Sequence, residues 1–326
     1  MRNMGSMPQV VIVSPALRDA NNGNWQTARR WQAHLAGEFR TRIVNHWPDE
    51  ASADDRVMIA LHARRSADAV AAWHSARSLG GLAVVLTGTD LYRDIQTDAS
   101  AQRSLALAER LVVLQECAPE SLPVECRAKT RVIFQSTAAR QILAKSSRRL
   151  RVLMVGHLRE EKSPETLFAA ARLLSKRPDV AIDHVGAGLD PALAAAARET
   201  MLAVPNYRWL GGLPHEAVHR RIQRAGLLLH TSRMEGGAHV IMEAVTSGTP
   251  VLASAVAGNV GMLGADYAGY FPWGDAPALA ELILRCRSGG LLPTLAAQCR
   301  ERAPLFDPAT ERAALRRLVH ELLENS

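Results

Sequence analysis

The chain has 326 residues, 48% of them hydrophobic and 5% aromatic, with four cysteines and a formal net charge of +7; that length supports two domains, each with its own core. No apolar run approaches the roughly 20 residues of a membrane span, and no charged-then-apolar leader precedes the first strand, so neither a membrane anchor nor a secretory route is expected. Cys117, Cys126, Cys286 and Cys299 lack metal-ligand or redox spacing and fit the reduced thiols of a cytoplasmic protein, while the positive charge is scattered as pairs (Arg29-Arg30, Arg64-Arg65, Arg148-Arg149, Arg220-Arg221, Arg316-Arg317) without interleaved aromatics, which favours a small anionic substrate over nucleic acid.

Residues 1–6 read as an appended stretch ahead of Met7, the expected native start. Apolar runs of strand length at 9–13, 42–45, 57–61, 82–86, 110–114 and 131–134 then alternate with helical patterns at 25–39, 67–79 and 101–108. Such alternation predicts a parallel sheet covered on both faces, whose ligands lie beyond the carboxyl ends of the strands. Around 142–151 the pattern pauses at a basic stretch, KSSRRLR, and a domain boundary is expected there, between 146 and 147. Strands resume at 152–155, 181–185, 207–210, 226–230, 251–254 and 268–271. The helices of this half are expected at 165–175, 191–203, 215–224, 238–247, 276–287 and 291–303, and a long amphipathic helix at 308–324 closes the chain.

The most informative stretch is 235–252, EGGAHVIMEAVTSGTPVL. A Gly-Gly turn opens a helix, Gly248 sits where a left-handed helix stop is wanted, and Pro250 leads into the next strand. The backbone N–H groups of Gly236, Gly237 and Ala238 lie at the positive end of that helix, where an anion is favoured. Glu235 and Glu243 bracket the turn, and a carboxylate accepts two hydrogen bonds side by side, which suits the paired hydroxyls of a ribose or pyranose. His239 and Glu243 are one helical turn apart. Glu243 is flanked by Val240, Ile241, Met242, Ala244 and Val245, and a carboxylate on an apolar helix wants a specific partner.

The E-x7-E pattern followed by A-x-x-x-G-T-P-V resembles the donor-site signature of retaining GT-B glycosyltransferases, over the whole second half of the chain. The resemblance implies an α/β fold of two Rossmann-like domains, 7–146 and 147–305, with parallel sheets facing across a cleft, and a terminal segment, 306–326, whose helix crosses back to the first domain. It implies a UDP-sugar donor with no cofactor. In the turn Gly156-His157-Leu158-Arg159-Glu160-Glu161-Lys162, Arg159 and Lys162 would grip the donor diphosphate; two cations near a turn also neutralise charge developing on a leaving group. Gly186-Ala187-Gly188 reads as a close-approach turn, and backbone groups near Leu213 would read a uracil edge. No metal is expected, since no D-x-D pair flanks a strand and no His/Cys cluster has ligand spacing.

In the first half, Asn21-Asn22-Gly23-Asn24 joins strand to helix: Gly23 allows close backbone approach and Asn24 could cap the helix or act in the site. His62, Arg64 and Arg65 end the third strand, and arginines there make forked contacts to phosphate-like groups. Thr87-Gly88-Thr89-Asp90 ends the fourth, where many retaining GT-B enzymes carry a histidine, and Gln115 and Gln135-Ser136 also depart from the usual pattern. GNWQTARRW, ALHARRSA, LTGTDLYRD and VVLQ together resemble the selenosugar synthases of selenoneine biosynthesis, a branch of the GT-B superfamily. That resemblance implies transfer of GlcNAc or glucose to selenophosphate, and a functional link to an enzyme supplying it. Arg64, Arg65, Thr87 and Thr89 would hold the acceptor; His62 or Asp90 would assist phosphate loss or orient the arginines. A hydroxyl- or thiol-directed transferase, a UDP-sugar epimerase and a noncatalytic sugar-nucleotide sensor remain alternatives.

Overall fold

Short apolar strands with both faces buried build each half of the molecule. Val10, Val11, Ile12 and Val13 are all 0–1% exposed, as a parallel strand covered by helices on both sides requires. The computed structural model describes residues 7–17, 23–77 and 80–324; the stretch 1–6 and the predicted Asn21 and Asn22 lie outside them. Among the described residues no helix is long and apolar enough to cross a membrane.

One unit comprises Met1–Ser136 with Pro308–Ser326. Its strands are β1 (Gln9–Val13), β2 (Arg40–Val44), β3 (Asp55–Leu61), β4 (Leu82–Leu86), β5 (Arg110–Val113) and β6 (Thr130–Val132), paired in parallel in the order β2-β1-β3-β4-β5-β6. The strand order turns back between β1 and β3, the crevice where open α/β sheets take ligands. The helix Pro308–Glu324 belongs to this unit because Leu315, Leu318, Val319 and Leu322 enter the core beside Val10, Ile12 and Trp31. Burying four such side chains stabilises the docked helix by roughly 6–12 kcal/mol, an upper figure. Its Glu311 is fully buried and collects Arg30 Nε at 2.9 Å, Trp31 Nε1 at 2.7 Å, His34 Nε2 at 3.2 Å and Ser136 N at 2.8 Å.

The other unit is Thr137–Asp307, so the division falls before the expected boundary at 146/147. The intervening stretch carries no helix or strand and is tied to the second unit: Arg140 pairs with Glu216 at 2.8 Å, and Lys145 Nζ donates to Gln223 O at 2.7 Å and Thr249 Oγ1 at 2.9 Å. A basic, serine-containing composition suggested a linker, and these partners lie far along the sequence. Strands β7 (Leu150–Val155), β8 (Val180–Val185), β9 (Tyr207–Trp209), β10 (Leu227–His230), β11 (Val251–Ser254) and β12 (Tyr270–Phe271) form a second parallel sheet, β12-β11-β10-β7-β8-β9. The order reverses between β7 and β10, the dinucleotide-fold arrangement. The helices Pro191–Ala203, His215–Arg224 and Pro308–Glu324 match their expected bounds, while Gly23–Leu35 and Ala67–Ala76 stop earlier than expected. Among the helical segments that were not anticipated are Ala257–Leu263, whose two glycines mask its pattern, the π-turn Asp90–Asp94 and the short helix Val124–Arg127.

Candidate functional site

In the second unit the reversal point puts the loop after β7 beside the loop after β10, and side chains span the gap. Lys162 Nζ contacts Glu235 Oε1, His230 Nε2 lies 3.1 Å from the same oxygen, and Thr231 Oγ1 donates to Lys162 O at 2.7 Å. Burial alone would raise the Glu235 carboxyl, but the Lys162 ammonium and the His230 imidazole outweigh it and hold Glu235 well below the usual carboxylate range. Burial meanwhile lowers His230, so the carboxylate faces one ammonium and a neutral ring. Lys162 thus comes to the site already paired, while the Arg159 side chain stays half-exposed beside it. Burial, together with Arg159 and Lys162, lowers His157.

Past Glu235, the Gly236-Gly237 turn delivers the helix His239–Thr246, with Ala238 at its N-cap and no side chain capping its first N–H groups. Ile241 N donates to Ala238 O at 3.0 Å, and the positive end of the helix ahead of it favours an anion. The expected helix stop is present: Gly248 has φ +65°. Glu243, buried on this helix, meets His219 Nε2 at 2.8 Å and His215 Nε2 at 3.4 Å, both through Oε1. Burial pushes its carboxyl up, yet the two imidazoles, His215 first, bring it down to about 2. The partner that an apolar helix demands is therefore a histidine pair on the neighbouring helix, and sequence reasoning missed both rings. Their signal was the i, i+4 spacing in HEAVH, two residues beyond Leu213.

Leu213 sits in a loop sewn to its neighbours. Gly186 N donates to Gly211 O, Trp209 Nε1 to Gly186 O and Leu158 N to Ala187 O, at 2.8, 2.8 and 2.9 Å. A methyl on Gly186 would meet Gly156 O at 1.8 Å, so this close-approach turn packs loop on loop. A second such glycine went unrecognised. Gly258 lies under Glu235, and a Cβ there would meet Glu235 O at 1.9 Å; Ser254 Oγ braces the same loop through Ser232 O at 2.6 Å.

In the first unit, His62, Arg64 and Arg65 follow β3 at its own reversal point, and Gly23 and Asn24 lie in the first turn of Gly23–Leu35. Asn24 is thus inside the helix and does not cap it. Among the described residues nothing lies within 4 Å of where a Gly23 Cβ would stand. His62 is 2% exposed with φ +73°; its Nε2 lies 3.2 Å from Thr89 Oγ1, and Arg65 N donates to its Nδ1 at 3.4 Å. Burial lowers its pKa, so the ring is a neutral brace.

Asp90, expected in a catalytic role, is fully buried and spends its oxygens on backbone: Ala63 N, Thr87 N and Gly88 N each donate at 2.9 Å. It is a positioning residue that fastens the β3 and β4 loops together. The carboxylate that orients an arginine is instead Asp94, 3.0 Å from Arg64 Nε, presented by the unanticipated π-turn. Arg64 and Arg65 are both exposed, and Thr87 and Thr89 half-buried, so the four acceptor-site candidates share one sheet edge.

Residues 135–305, just over half of the chain, match the family described as glycosyl transferases group 1. The amylovoran biosynthesis glycosyltransferase AmsK of Erwinia amylovora is 28% identical over 190 residues, which is 54% of this chain and 44% of that protein; the match thus spans less than half of that relative. Sucrose-phosphate synthase from Thermosynechococcus elongatus superposes with a TM-score of 0.75 at 17% identity, covering 98% of this chain and all of that one. HepE of Anabaena, solved with UDP and glucose, superposes with a TM-score of 0.71 at 16% identity, over 96% of this chain and all of its own. These neighbours share the GT-B fold of two parallel sheets.

Proposed function

The chain belongs to the glycosyl transferases group 1 family, and from that premise we propose that it transfers a hexose, GlcNAc or glucose, from a UDP-sugar to selenophosphate. The observation that carries the donor half is the pair Glu235 and Glu243. Glu243 is buried and Glu235 half-buried, and both are held in the ionised form, on either side of a helix start with no side-chain cap at the reversal point of the second sheet. Glu243 would take the ribose hydroxyls, Glu235 and His239 the hexose, and the N–H groups from Gly236 to Ala238 with Arg159 and Lys162 the diphosphate. UDP with glucose in the HepE structure supports a uridine donor.

The acceptor half draws on Arg64, Arg65, Thr87 and Thr89. A small, highly charged acceptor buries little apolar surface, so forked cations and short hydroxyls must hold it. Selenium attacks the anomeric carbon, the bond from that carbon to the diphosphate oxygen breaks, and UDP departs with the electron pair. Water then adds its oxygen to phosphorus and its proton to selenium, releasing phosphate and a sugar selenol. An ionised selenium nucleophile needs no strong base, in keeping with a His62 held neutral and an Asp90 committed to backbone. The scheme draws on no metal and no nucleic acid, and it requires a preceding enzyme that supplies selenophosphate.

Mass spectrometry of UDP-GlcNAc or UDP-glucose incubated with selenophosphate is the direct test. UDP and the selenosugar are expected, and Arg64→Ala should lower kcat/KM for the acceptor at least tenfold while sparing UDP binding. Turnover only with a hydroxyl acceptor would overturn the selenium assignment.

A further inference from the structure

The histidines beside Glu243 do more than offset its charge. His215 and His219 stand one turn apart on His215–Arg224 with ring centroids 4.1 Å from each other. Both aim Nε2 at one carboxylate oxygen, and the three donor atoms lie within 4.8 Å of one another. One oxygen is a poor terminus for two rings so close together. His219 shows the consequence: its residue is 7% exposed, and its buried Nε2 stands 2.8 Å from Glu243 Oε1 without completing a hydrogen bond. A buried nitrogen whose hydrogen bond is not completed costs about 1–3 kcal/mol. An ion at the convergence point would engage all three atoms at once.

We infer that His215, His219 and Glu243 bind a zinc-class divalent cation through two imidazole nitrogens and one carboxylate oxygen, leaving the remaining coordination positions to water. Two histidines at i, i+4 with one carboxylate are a ligand set of zinc sites that keep an open position. Imidazole selects zinc, copper, nickel or iron over magnesium and calcium, which want oxygen. The His215 side chain is 65% exposed and gives the ion a path from solvent. The cation facing the cluster, Arg140, is offset by Glu216 at 2.8 Å. Provided Glu243 takes the donor's ribose as proposed above, the ion and the UDP-sugar compete for one carboxylate, and zinc acts as an inhibitor of transfer.

The test is a zinc titration of the full, metal-stripped chain against a chromogenic chelator, with no sugar nucleotide present. One equivalent should bind, and His215→Ala and His219→Ala should each weaken it at least about tenfold; cobalt should give a visible d–d absorption that both variants lose. His215 is exposed, so its variant keeps the fold, as circular dichroism should confirm. Zinc affinity unchanged from wild type in both variants, or wild-type binding no tighter than for magnesium, would overturn the site. Repeating the titration with saturating UDP separates the two claims. Weakened zinc binding supports the shared carboxylate; unchanged zinc binding beside bound UDP overturns the competition and counts against Glu243 as the ribose ligand, with the metal site left standing.

Discussion

Several carboxylates among the described residues are buried or nearly so and engaged, and the surroundings of four of them assign different work. Asp90 is consumed by three backbone amides and Glu311 by four residues of its own unit, whereas Glu235 and Glu243 meet cationic or imidazole partners at a sheet's ligand edge. Burial raises the Glu311 carboxyl, but His34, Arg30, Ser136 and Trp31 together lower it to about 2 from an ordinary 4.5. Its ionised form therefore stabilises the fold fully above about pH 4.5, and that contribution drains away as the pH falls toward 2. The gap corresponds to on the order of 3 kcal/mol. Glu311→Gln should cost about that much in urea unfolding at pH 7 and flatten the acid-side decline of the first unit; equal stability of variant and wild type at pH 7 would refute the assignment. Nothing in the sequence marked Glu311, because a glutamate on a terminal amphipathic helix is ordinarily a surface residue. Glu243 could be recognised from its apolar flanks, and Asp94 was hidden behind Asp90, which sits closer to the strand end.

At the scale of elements, alternating apolar runs were enough to define twelve parallel strands within a residue or two. Their spatial order was not legible, and that order is what puts the Lys162 loop beside the Glu235 loop. The helix Ala257–Leu263 escaped because glycine weakens a helical pattern by about 1 kcal/mol per residue, yet Gly258 is what lets it pass under Glu235. Gly258→Ala would force a methyl into Glu235 O, and backbone cannot yield cheaply. The expected result is a displaced Glu235 loop and a transfer rate lower by on the order of 100-fold, as misplacement by about 1 Å costs. Unchanged donor kinetics in a folded Gly258→Ala variant would show that the close approach does not set the position of Glu235. Gly186, read from sequence as a close-approach turn, makes that approach to the backbone of Gly156.

For the molecule as a whole, each sheet has one reversal point, and each reversal point gathers one chemistry: exposed arginines held by Asp94 in the first unit, carboxylates held by histidine and lysine in the second. The +7 charge fits the proposed substrates, since a sugar nucleotide and selenophosphate would both be anions. Motifs along the chain nominated candidate loops; His215 and His219, which meet Glu243, come from a neighbouring helix, and Asp94, which meets Arg64, from the turn after β4, so only folding brings them in. Calorimetric titration of UDP into the wild-type chain and into Glu243→Ala tests the central claim most directly. Wild type should bind one equivalent, and the variant should lose about tenfold or more in affinity, the cost of one charged hydrogen-bonding partner. Equal affinity in the two proteins would contradict the account.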